Sequence, residues 1–343
     1  MTKSADTAVG MTCETASALT SAEAFAQENT PTEAMRELLA LAFAGFRSAA
    51  AEMDAECDGA PFVHLPLNVY AAVAGCWEPA LPVAAATAML YLGLDIFDDL
   101  ADGDLPAHWT GRRPAEINLV AATLLSALPQ LAIARLHAPA DARAAMLQEI
   151  FEGLLTMSAG QQQDLAFAGS SEVSTEEVHA SVNRKSGAEM GMFAALGALL
   201  AGAPAEQVHL YREVGRAFGI AGQLASDMHD LFVAERSMDL ANGTRTLPIA
   251  LCLDRYAGQE REGFIALLRS AQSSTSAADR MREEIKASGA ARYCAFVIEV
   301  QCRRALRLLA ETATIGEPRH RLERMIASAS LYRGATIEKG EPR

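Results

Sequence analysis

Hydrophobic residues recur along most of this chain at the three- and four-residue spacing of an α-helix, and no stretch alternates as a β-strand does. In the stretch 31–53, Leu39, Ala42 and Phe46 fall on one helical face. Thr32 stands just before them, where an N-cap residue would. The pattern therefore predicts an all-α fold.

Breaks in the helical pattern divide the chain into segments. Ser174 followed by Glu177 has the spacing of a capping box and predicts a helix start. We predict one helical domain over 31–335, with a disordered N-terminal tail over 1–30 and a short C-terminal tail over 336–343. The predicted helices cover 31–53, 67–74, 81–102, 115–136, 139–163, 174–201, 205–232, 262–268, 277–288, 289–312 and 318–331, and a further helix opens at Leu247.

Composition and charge narrow the possible partners. Half of the 343 residues are hydrophobic but only 6% are aromatic, which suits closely packed helices rich in Ala and Leu. The formal charge of −14 argues against nucleic acid or an anionic membrane as a general partner. A phosphorylated ligand would need positive charge supplied locally, by Lys, Arg or a metal ion.

Cysteine usage and targeting signals suggest a cytoplasmic protein. The six cysteines are scattered without paired short spacings, as expected of reduced thiols. The first thirty residues contain no apolar segment of a signal peptide. No uninterrupted apolar run reaches the length of about 18 residues that a transmembrane helix needs, so we expect none.

An acidic cluster at the end of the apolar segment 81–102 is the clearest chemical feature. Asp95, Asp98, Asp99 and Asp102 would share one side of a helix over two turns. Like charges at this spacing repel one another, so a bound cation would stabilise them. Oxygen ligands without Cys or His suit Mg²⁺ or Ca²⁺ rather than zinc. We interpret the cluster as a metal site.

Two other interpretations of this cluster compete with a metal site of that kind. A solvated, acidic helix end is common, but in this chain the acidic residues directly follow a segment with the composition of a core helix. A calcium-binding EF-hand loop is rejected, because Leu100 and Trp109 stand where that pattern needs oxygen ligands.

A second acidic segment lies further along, within 222–232. Asp227 and Asp230 are three residues apart and Ser226 and Asp230 are four apart, so they share a helix face. One such pair recurs by chance in many helices. Two acidic segments far apart in an apolar bundle are more specific, because they can face each other across a cavity and bind metal around one polyphosphate.

Basic and amide side chains stand near both segments in sequence. Taken singly, each is more often a solvated surface residue than a ligand. The basic residues are Arg112, Arg113, Arg184, Lys185 and Arg245, and Gln161 and Asp164 are residues that either cap a turn or line the same cavity.

These segments together resemble the trans-isoprenyl diphosphate synthase (polyprenyl synthetase) family over roughly 32–331. The matching motifs stand in the family's order. They are Asp98-Asp99-Leu-Ala-Asp102, Gly160-Gln161-x-x-Asp164, Arg184-Lys185-Ser186-Gly187, Gln223-x-x-Ser-Asp227-x-x-Asp230 and Asp239-Leu-x-x-Gly-x-Arg245-Thr-Leu-Pro248.

The resemblance implies a single-domain bundle of the isoprenoid synthase type with a deep central apolar pocket. It also implies an allylic prenyl diphosphate substrate, three Mg²⁺ ions with Mn²⁺ as an alternative, and a homodimer. The residues it implies are Asp98, Asp99 and Asp102 for catalysis; Asp98, Asp102, Ser226, Asp227 and Asp230 for metal binding; Arg112, Arg113, Lys185 and Arg245 for diphosphate binding; and Gln161, Asp164, Gln223, Leu94 and Gly93 around the pocket.

Departures from the family pattern decide the expected reaction. The family's site for isopentenyl diphosphate has a Gly-Lys-Arg-x-Arg-Pro run, whereas Phe62, Val63 and Leu65 stand at the basic positions in this chain. A diphosphate in such an apolar setting would cost several kcal/mol. Ser226 also replaces the first Asp of the second motif, and with Asp230 it partly matches the metal motif of terpene synthases.

Three functions follow from the resemblance and these departures. The leading hypothesis is a terpene synthase, in which the allylic cation is captured within its own chain by cyclisation or elimination. The second is a prenyltransferase that uses isopentenyl diphosphate or an unusual acceptor such as a peptide or an aromatic molecule. The third is a non-catalytic subunit that retains the fold of a prenyl synthase.

Overall fold

The computed structural model describes residues 11–57, 59–314 and 316–331, and these ranges contain helices and loops but no strand. The helices are α1 (Cys13–Asn29), α2 (Glu33–Glu56), α3 (Pro61–Ala74), α4 (Leu81–Asp102), α5 (Pro114–Ser126), α6 (Leu128–Ala134), α7 (Ala140–Phe167), α8 (Thr175–Val182), α9 (Ala188–Leu200), α10 (Ala205–Phe232), α11 (Met238–Asn242), α12 (Leu247–Arg255), α13 (Gly258–Ala271), α14 (Thr275–Ala287), α15 (Ala290–Glu311) and α16 (Glu317–Ser328). The predicted all-α fold is confirmed.

The N-terminal region differs from the prediction. Helix α1 packs against α2 and α4, and Ala18, Leu19, Ala22 and Ala26 are fully buried. The predicted disorder over 1–30 is therefore wrong for 13–29. A stripe of mostly small side chains has low hydrophobicity, but it lets two helices approach closely. Residues 1–10 and the predicted tail 336–343 lie outside the described residues.

The core is built around α9, which is buried on nearly all sides between α3, α7 and α10. Close approach of α9 to α10 depends on Gly215, because a Cβ there would overlap the backbone carbonyl of Met190. A helix enclosed in this way holds its residues in fixed positions. Side chains at its N-terminal end are therefore well placed for a rigid site.

Prolines explain two differences in helix boundaries. Helix α3 begins at Pro61, earlier than predicted, because a proline suits the first turn of a helix. The predicted helix 115–136 is two helices, which meet at Ala127. Pro129 has no N–H to offer the carbonyl of Leu125, and the side chain of Gln130 donates to that oxygen instead, at 2.7 Å.

A π-helical turn, Asn183–Gly187, interrupts the predicted helix 174–201 and joins α8 to α9. Such turns often occur at functional sites, because they widen a helix and turn its side chains. Ser174 and Glu177 form the predicted capping box at the start of α8.

Two helical stretches, Glu78–Asp102 and Pro114–Ala134, are long and apolar enough to match a membrane span by length and composition. In their most apolar windows, 67% and 44% of the residues are buried inside the protein. Core helices pass the same test, so this match is weak evidence for a span.

Candidate active site

The C-terminal end of α4 carries the first acidic cluster. The helix ends at Gly103, which adopts a left-handed conformation. Burial, reinforced by the neighbouring carboxylates, raises the pKa of Asp95 to about 6 and of Asp99 to about 7. The pKa values of Asp98 and Asp102 are raised as well, chiefly by burial. These groups repel one another, so the cluster favours a cation.

A cation of the protein itself faces this cluster. Lys185 lies in the π-helical turn, and its Nζ donates to Asp164 on α7 at 2.8 Å. Burial opposes its charged form, but Asp98, Asp164 and Asp102 outweigh burial and raise its pKa. Lys185 therefore stays charged between α4 and α7.

Helix α10 contributes a hydrogen-bonded chain to the same region. Ser186 Oγ donates to Gln223 Oε1 at 2.7 Å, and Gln223 Nε2 donates to Asp227 at 2.8 Å. Burial raises the pKa of Asp227 to about 7, and Asp164 adds to the effect. Gln223 thus fixes the orientation of a buried carboxyl, as a supporting residue would.

Asp239 on α11 joins this group, although the sequence-based candidates do not include it. Burial raises its pKa to about 8, with further contributions from Asp227, Asp230, Asp164 and Asp102. Carboxyls of α4, α7, α10 and α11 therefore influence one another electrostatically. The sequence does contain a signal for Asp239, because it is the first residue of the family motif that ends at Pro248. Only Arg245 of that motif was among the predicted site residues.

Two of the predicted metal ligands, Ser226 and Asp230, have surroundings that differ from those of the buried Asp227. Ser226 is exposed. Both oxygens of Asp230 accept local hydrogen bonds, from the Ser237 hydroxyl and from the backbone N–H groups of Met238 and Asp239. Asp230 therefore stabilises the start of α11. The assignment of Ser226, Asp227 and Asp230 to the metal stays a prediction.

The predicted diphosphate-binding arginines lie apart from the acidic groups. Arg112 is exposed, and Arg113 pairs with Glu116 at 3.1 Å while capping α5. Arg245 is buried, and it donates to the backbone carbonyls of Ser170 and Gly243. Arg245 therefore links two loops, and of the four predicted cations only Lys185 lines the cavity.

A cavity of about 240 Å³ opens between the acidic segments. Its lining includes Leu94, Gln161 and Gln223, as predicted for the pocket, but not Asp164 or Gly93. A Cβ at Gly93 would meet Leu124 and Leu125 at 2.9–3.0 Å, so this glycine serves the packing of α4 on α5. The other lining residues are Tyr91, Phe97, Leu125, Leu154 and Met157, with the polar Asp95, Asp98, Ser158, Lys185, Ser186 and Glu189.

The ligand chemistry of the site fits Mg²⁺. Its donors are carboxylate oxygens, which hard cations prefer. Within the described ranges, however, no three His, Cys, Asp or Glu side chains converge closely enough to hold an ion by themselves. Mg²⁺ usually completes its shell with waters and substrate phosphates.

The start of α3, where the family has its isopentenyl diphosphate motif, is mostly apolar in this chain. Phe62, Val63 and Leu65 are at most 2% exposed, and Phe62 stacks on Tyr91 with ring centroids 4.7 Å apart. His64 is paired with Asp54 at 3.3 Å inside the protein. These four positions of α3 thus build the core under the cavity.

The chain is similar to proteins of one known family. The family profile described as Polyprenyl synthetase matches residues 74–285. A short chain isoprenyl diphosphate synthase from Methanothermobacter thermautotrophicus is 26% identical over 211 residues, which are 58% of this chain and 64% of that protein. The chain thus spans just under two thirds of the length of this curated relative.

Solved structures show the same fold. A geranylgeranyl pyrophosphate synthetase from Pyrococcus horikoshii superposes with a TM-score of 0.76 at 21% identity, covering 92% of this chain and 94% of that one. A polyprenyl synthase from Caulobacter crescentus, complexed with calcium and isoprenyl diphosphate, gives 0.75 at 19% identity, with coverages of 92% and 94%.

Proposed function

The chain belongs to the polyprenyl synthetase family, and on this premise we propose that it is a Mg²⁺-dependent prenyltransferase. It ionises an allylic prenyl diphosphate and joins the prenyl group to an acceptor. A curated relative makes isoprenyl diphosphates, which supports prenyl transfer over the cyclisation that the sequence alone favoured. The observation that carries the proposal is the cavity, which is lined by carboxylates, by Lys185 and by apolar side chains.

The cavity, which Asp98 lines, and the carboxyl groups beside it have separate tasks in the reaction. Asp98, Asp102, Asp227 and Asp239 would hold the metal. Mg²⁺, when bound, supplies positive charge that stabilises the leaving diphosphate. Lys185 binds a diphosphate oxygen and adds positive charge where negative charge develops.

The apolar lining encloses the prenyl chain. Leu94, Leu125, Leu154 and Met157 exclude water from the allylic cation, which water would otherwise convert to an alcohol. The clustered carboxyls of α4, α10 and α11 also argue against a non-catalytic subunit, since their mutual repulsion destabilises a protein that binds no cation there.

Cyclisation within the prenyl chain remains a second candidate, because a specific observation favours it. The side chains of Phe62, Val63 and Leu65 are buried and uncharged, so this part of α3 offers no positive charge to a second diphosphate. A cyclase would give a hydrocarbon or an alcohol from a single prenyl diphosphate.

The assay that tests the proposal measures diphosphate release with Mg²⁺ and geranyl, farnesyl or geranylgeranyl diphosphate, each with and without isopentenyl diphosphate. Release that requires the acceptor, with a longer product, supports prenyl transfer. Acceptor-independent release with a new hydrocarbon favours cyclisation. No release under any condition contradicts both.

The proposal also covers the cellular compartment and the oligomeric state of the enzyme. We expect it to work in the cytoplasm, since the six cysteines are scattered without paired short spacings, as expected of reduced thiols. We also expect a homodimer, because Leu119 on α5 and Phe151 and Leu155 on α7 are exposed apolar side chains. Sedimentation at micromolar concentration would test the dimer.

A further inference from the structure

One outward-facing side of helix α15 carries exposed apolar side chains. Phe296, Val300 and Tyr293 are 63%, 42% and 36% exposed, and their spacings of three and four residues put them on the same side of the helix. Single exposed apolar side chains are ordinary on a protein surface. Three of them together on one helix form a patch, and such a patch often marks an interaction site.

Arginines lie along the same side of α15. Arg292, Arg303 and Arg307 are exposed, and helical geometry places them with the apolar side chains on about a quarter of the helix circumference. Arg303 pairs with Glu299 at 3.2 Å, whereas no ion pair involves Arg292 or Arg307 within the described ranges. We call this set the outer strip of α15; its members are Arg292, Tyr293, Phe296, Val300, Arg303 and Arg307.

The charge of this region contrasts with that of the rest of the chain. Residues 290–331 contain seven arginines and four glutamates but no lysine or aspartate, so their formal charge is +3 in a chain of −14. The acids of α15 itself are Glu299, which pairs with Arg303, and Glu311 at the C-terminal end of the helix. Charges farther away than about 8 Å are largely screened at physiological salt, so the local excess of positive charge decides what the outer strip attracts.

A partner for the outer strip must be both apolar and negatively charged. A second copy of this chain does not fit, because a twofold interface would set the arginines of one copy against those of the other. A bilayer with anionic phospholipid has both properties. Apolar and aromatic side chains enter its interface, while long arginine side chains keep their charged ends level with the phosphates. From position 292 to position 307 the strip is about 22 Å long.

We propose that the outer strip of α15 docks this protein on a bilayer that contains anionic phospholipid. Its three apolar side chains insert among the lipids, and its three arginines bind lipid phosphate groups. So small an apolar surface gives reversible binding, not permanent anchoring. Docking would hold the proposed prenyltransferase where apolar prenyl chains accumulate. The binding itself needs no turnover, so it does not rest on the proposed function.

The charged half of the strip is tested by sedimentation with vesicles of phosphatidylcholine alone, or of equal parts phosphatidylcholine and phosphatidylglycerol. Wild type is compared with Arg307→Gln and with the matched control Arg269→Gln, because Arg269 is exposed on another helix, α13. We expect wild type and the control to bind the mixed vesicles at least tenfold more tightly than phosphatidylcholine, and Arg307→Gln to bind the mixed vesicles about fivefold more weakly. Salt at about 1 M, which shortens the screening length to about 3 Å, should release the protein.

The apolar half is tested with Val300→Ala and the matched control Val233→Ala, since Val233 is also an exposed valine, at the end of α10. We expect about threefold weaker binding of Val300→Ala to the mixed vesicles and no change in the control. Phe296→Trp reports insertion directly. Its added tryptophan fluorescence should move to shorter wavelength on the mixed vesicles, after subtraction of the wild-type signal from Trp77 and Trp109.

Several results would overturn this inference. They are an absence of wild-type binding to the mixed vesicles, equal binding to both kinds of vesicle, and equal binding by Arg307→Gln and Arg269→Gln. A lower sedimentation coefficient of Val300→Ala without vesicles would overturn it too, because a second copy would then cover the strip. The vesicles contain no prenyl diphosphate, so a failure of docking and a failure of the proposed reaction are recorded separately.

Discussion

At the scale of single residues, the surroundings of the acidic side chains decide what they do. Asp54 and Asp98 are both aspartates partly or wholly withdrawn from water, yet their pKa values shift in opposite directions. Asp54 accepts hydrogen bonds from Thr15 at 2.6 Å and the Ala60 N–H at 2.9 Å, and it pairs with His64. Asp98 faces other carboxylates. The first arrangement stabilises the fold, whereas the second is suited to bind a cation.

The Asp54 network predicts acid sensitivity. Burial alone would raise the pKa of Asp54, but the hydrogen bonds from His64, Thr15 and the Thr12 N–H outweigh it and hold this pKa well below its usual value. The network's contribution is therefore present above the ordinary aspartate value of 3.8 and is lost as pH falls below it.

Asp54→Asn should lower the free energy of unfolding at pH 7 by about 2–4 kcal/mol, since several bonds to a charged group weaken together. Asp279→Asn is a suitable control because Asp279 is exposed. Equal denaturation midpoints for the two variants would contradict this role of Asp54.

At the scale of elements, several helices follow from sequence while their neighbours do not. The helix predicted over 81–102 has the bounds of α4, because its apolar run and its left-handed glycine mark both ends. Helix α1 was missed, since its buried face consists mostly of alanines. The role of Gly93 could not be foreseen either, because its neighbour Leu125 is distant in sequence and only the packing of α5 brings it close.

The residues of the candidate site also differ in whether the sequence alone reveals them. Asp98, Asp102, Lys185 and Gln223 could be found from motif spacing. The capping role of Asp230 depends on a loop whose path the spacing does not reveal. Glu189 could have been noticed, since it lies four residues after Lys185 and so shares its helix face.

Helix α1 gives a prediction at this scale. Leu19→Ala should cost about 2–5 kcal/mol, because the Leu19 side chain is fully buried. Leu165→Ala is the matched control, since Leu165 on α7 is 48% exposed. Urea denaturation of both variants measures the difference. An unchanged midpoint for Leu19→Ala would mean that α1 does not pack as described.

The packing of α4 on α5 gives a second prediction at the scale of elements. Gly93→Ala should destabilise the protein by about 1–3 kcal/mol, because the added Cβ would press on Leu124 and Leu125. It should leave the prenyl chain length of the product unchanged. Leu94→Ala, which enlarges the cavity, should admit a longer prenyl diphosphate. If the prenyl chain length of the product changed in Gly93→Ala and not in Leu94→Ala, the assignment of Gly93 to helix packing and of Leu94 to the cavity would be contradicted.

At the scale of the whole molecule, the acidic site links stability to pH and to metal. The pKa values of Asp227, Asp239 and Glu189 are raised to about 7, 8 and 8, mainly by burial. For an acid whose pKa is raised by folding, the favourable contribution is complete below the unfolded-state value and is lost as pH rises through the folded-state value. The metal-free protein should therefore become less stable between pH 5 and pH 8.

Thermal unfolding measures this linkage. In EDTA, we expect the unfolding temperature to fall between pH 5 and pH 8. Added Mg²⁺ with inorganic diphosphate should raise it more at pH 8 than at pH 6, since the carboxylates must be ionised to bind the ion. An increase that does not depend on pH would mean that the carboxyl cluster does not bind the metal.

The most direct test of the proposed prenyl transfer is diphosphate release from farnesyl diphosphate by wild type, Asp98→Asn and the control Asp104→Asn, with Mg²⁺ and with isopentenyl diphosphate as the acceptor. Asp104 lies beyond the end of α4 and outside the cavity lining. We expect release by wild type and Asp104→Asn, and a loss of about 10²–10³-fold in Asp98→Asn, because the metal and the leaving diphosphate lose a ligand. Release by Asp98→Asn at the wild-type rate would contradict the assignment of the site.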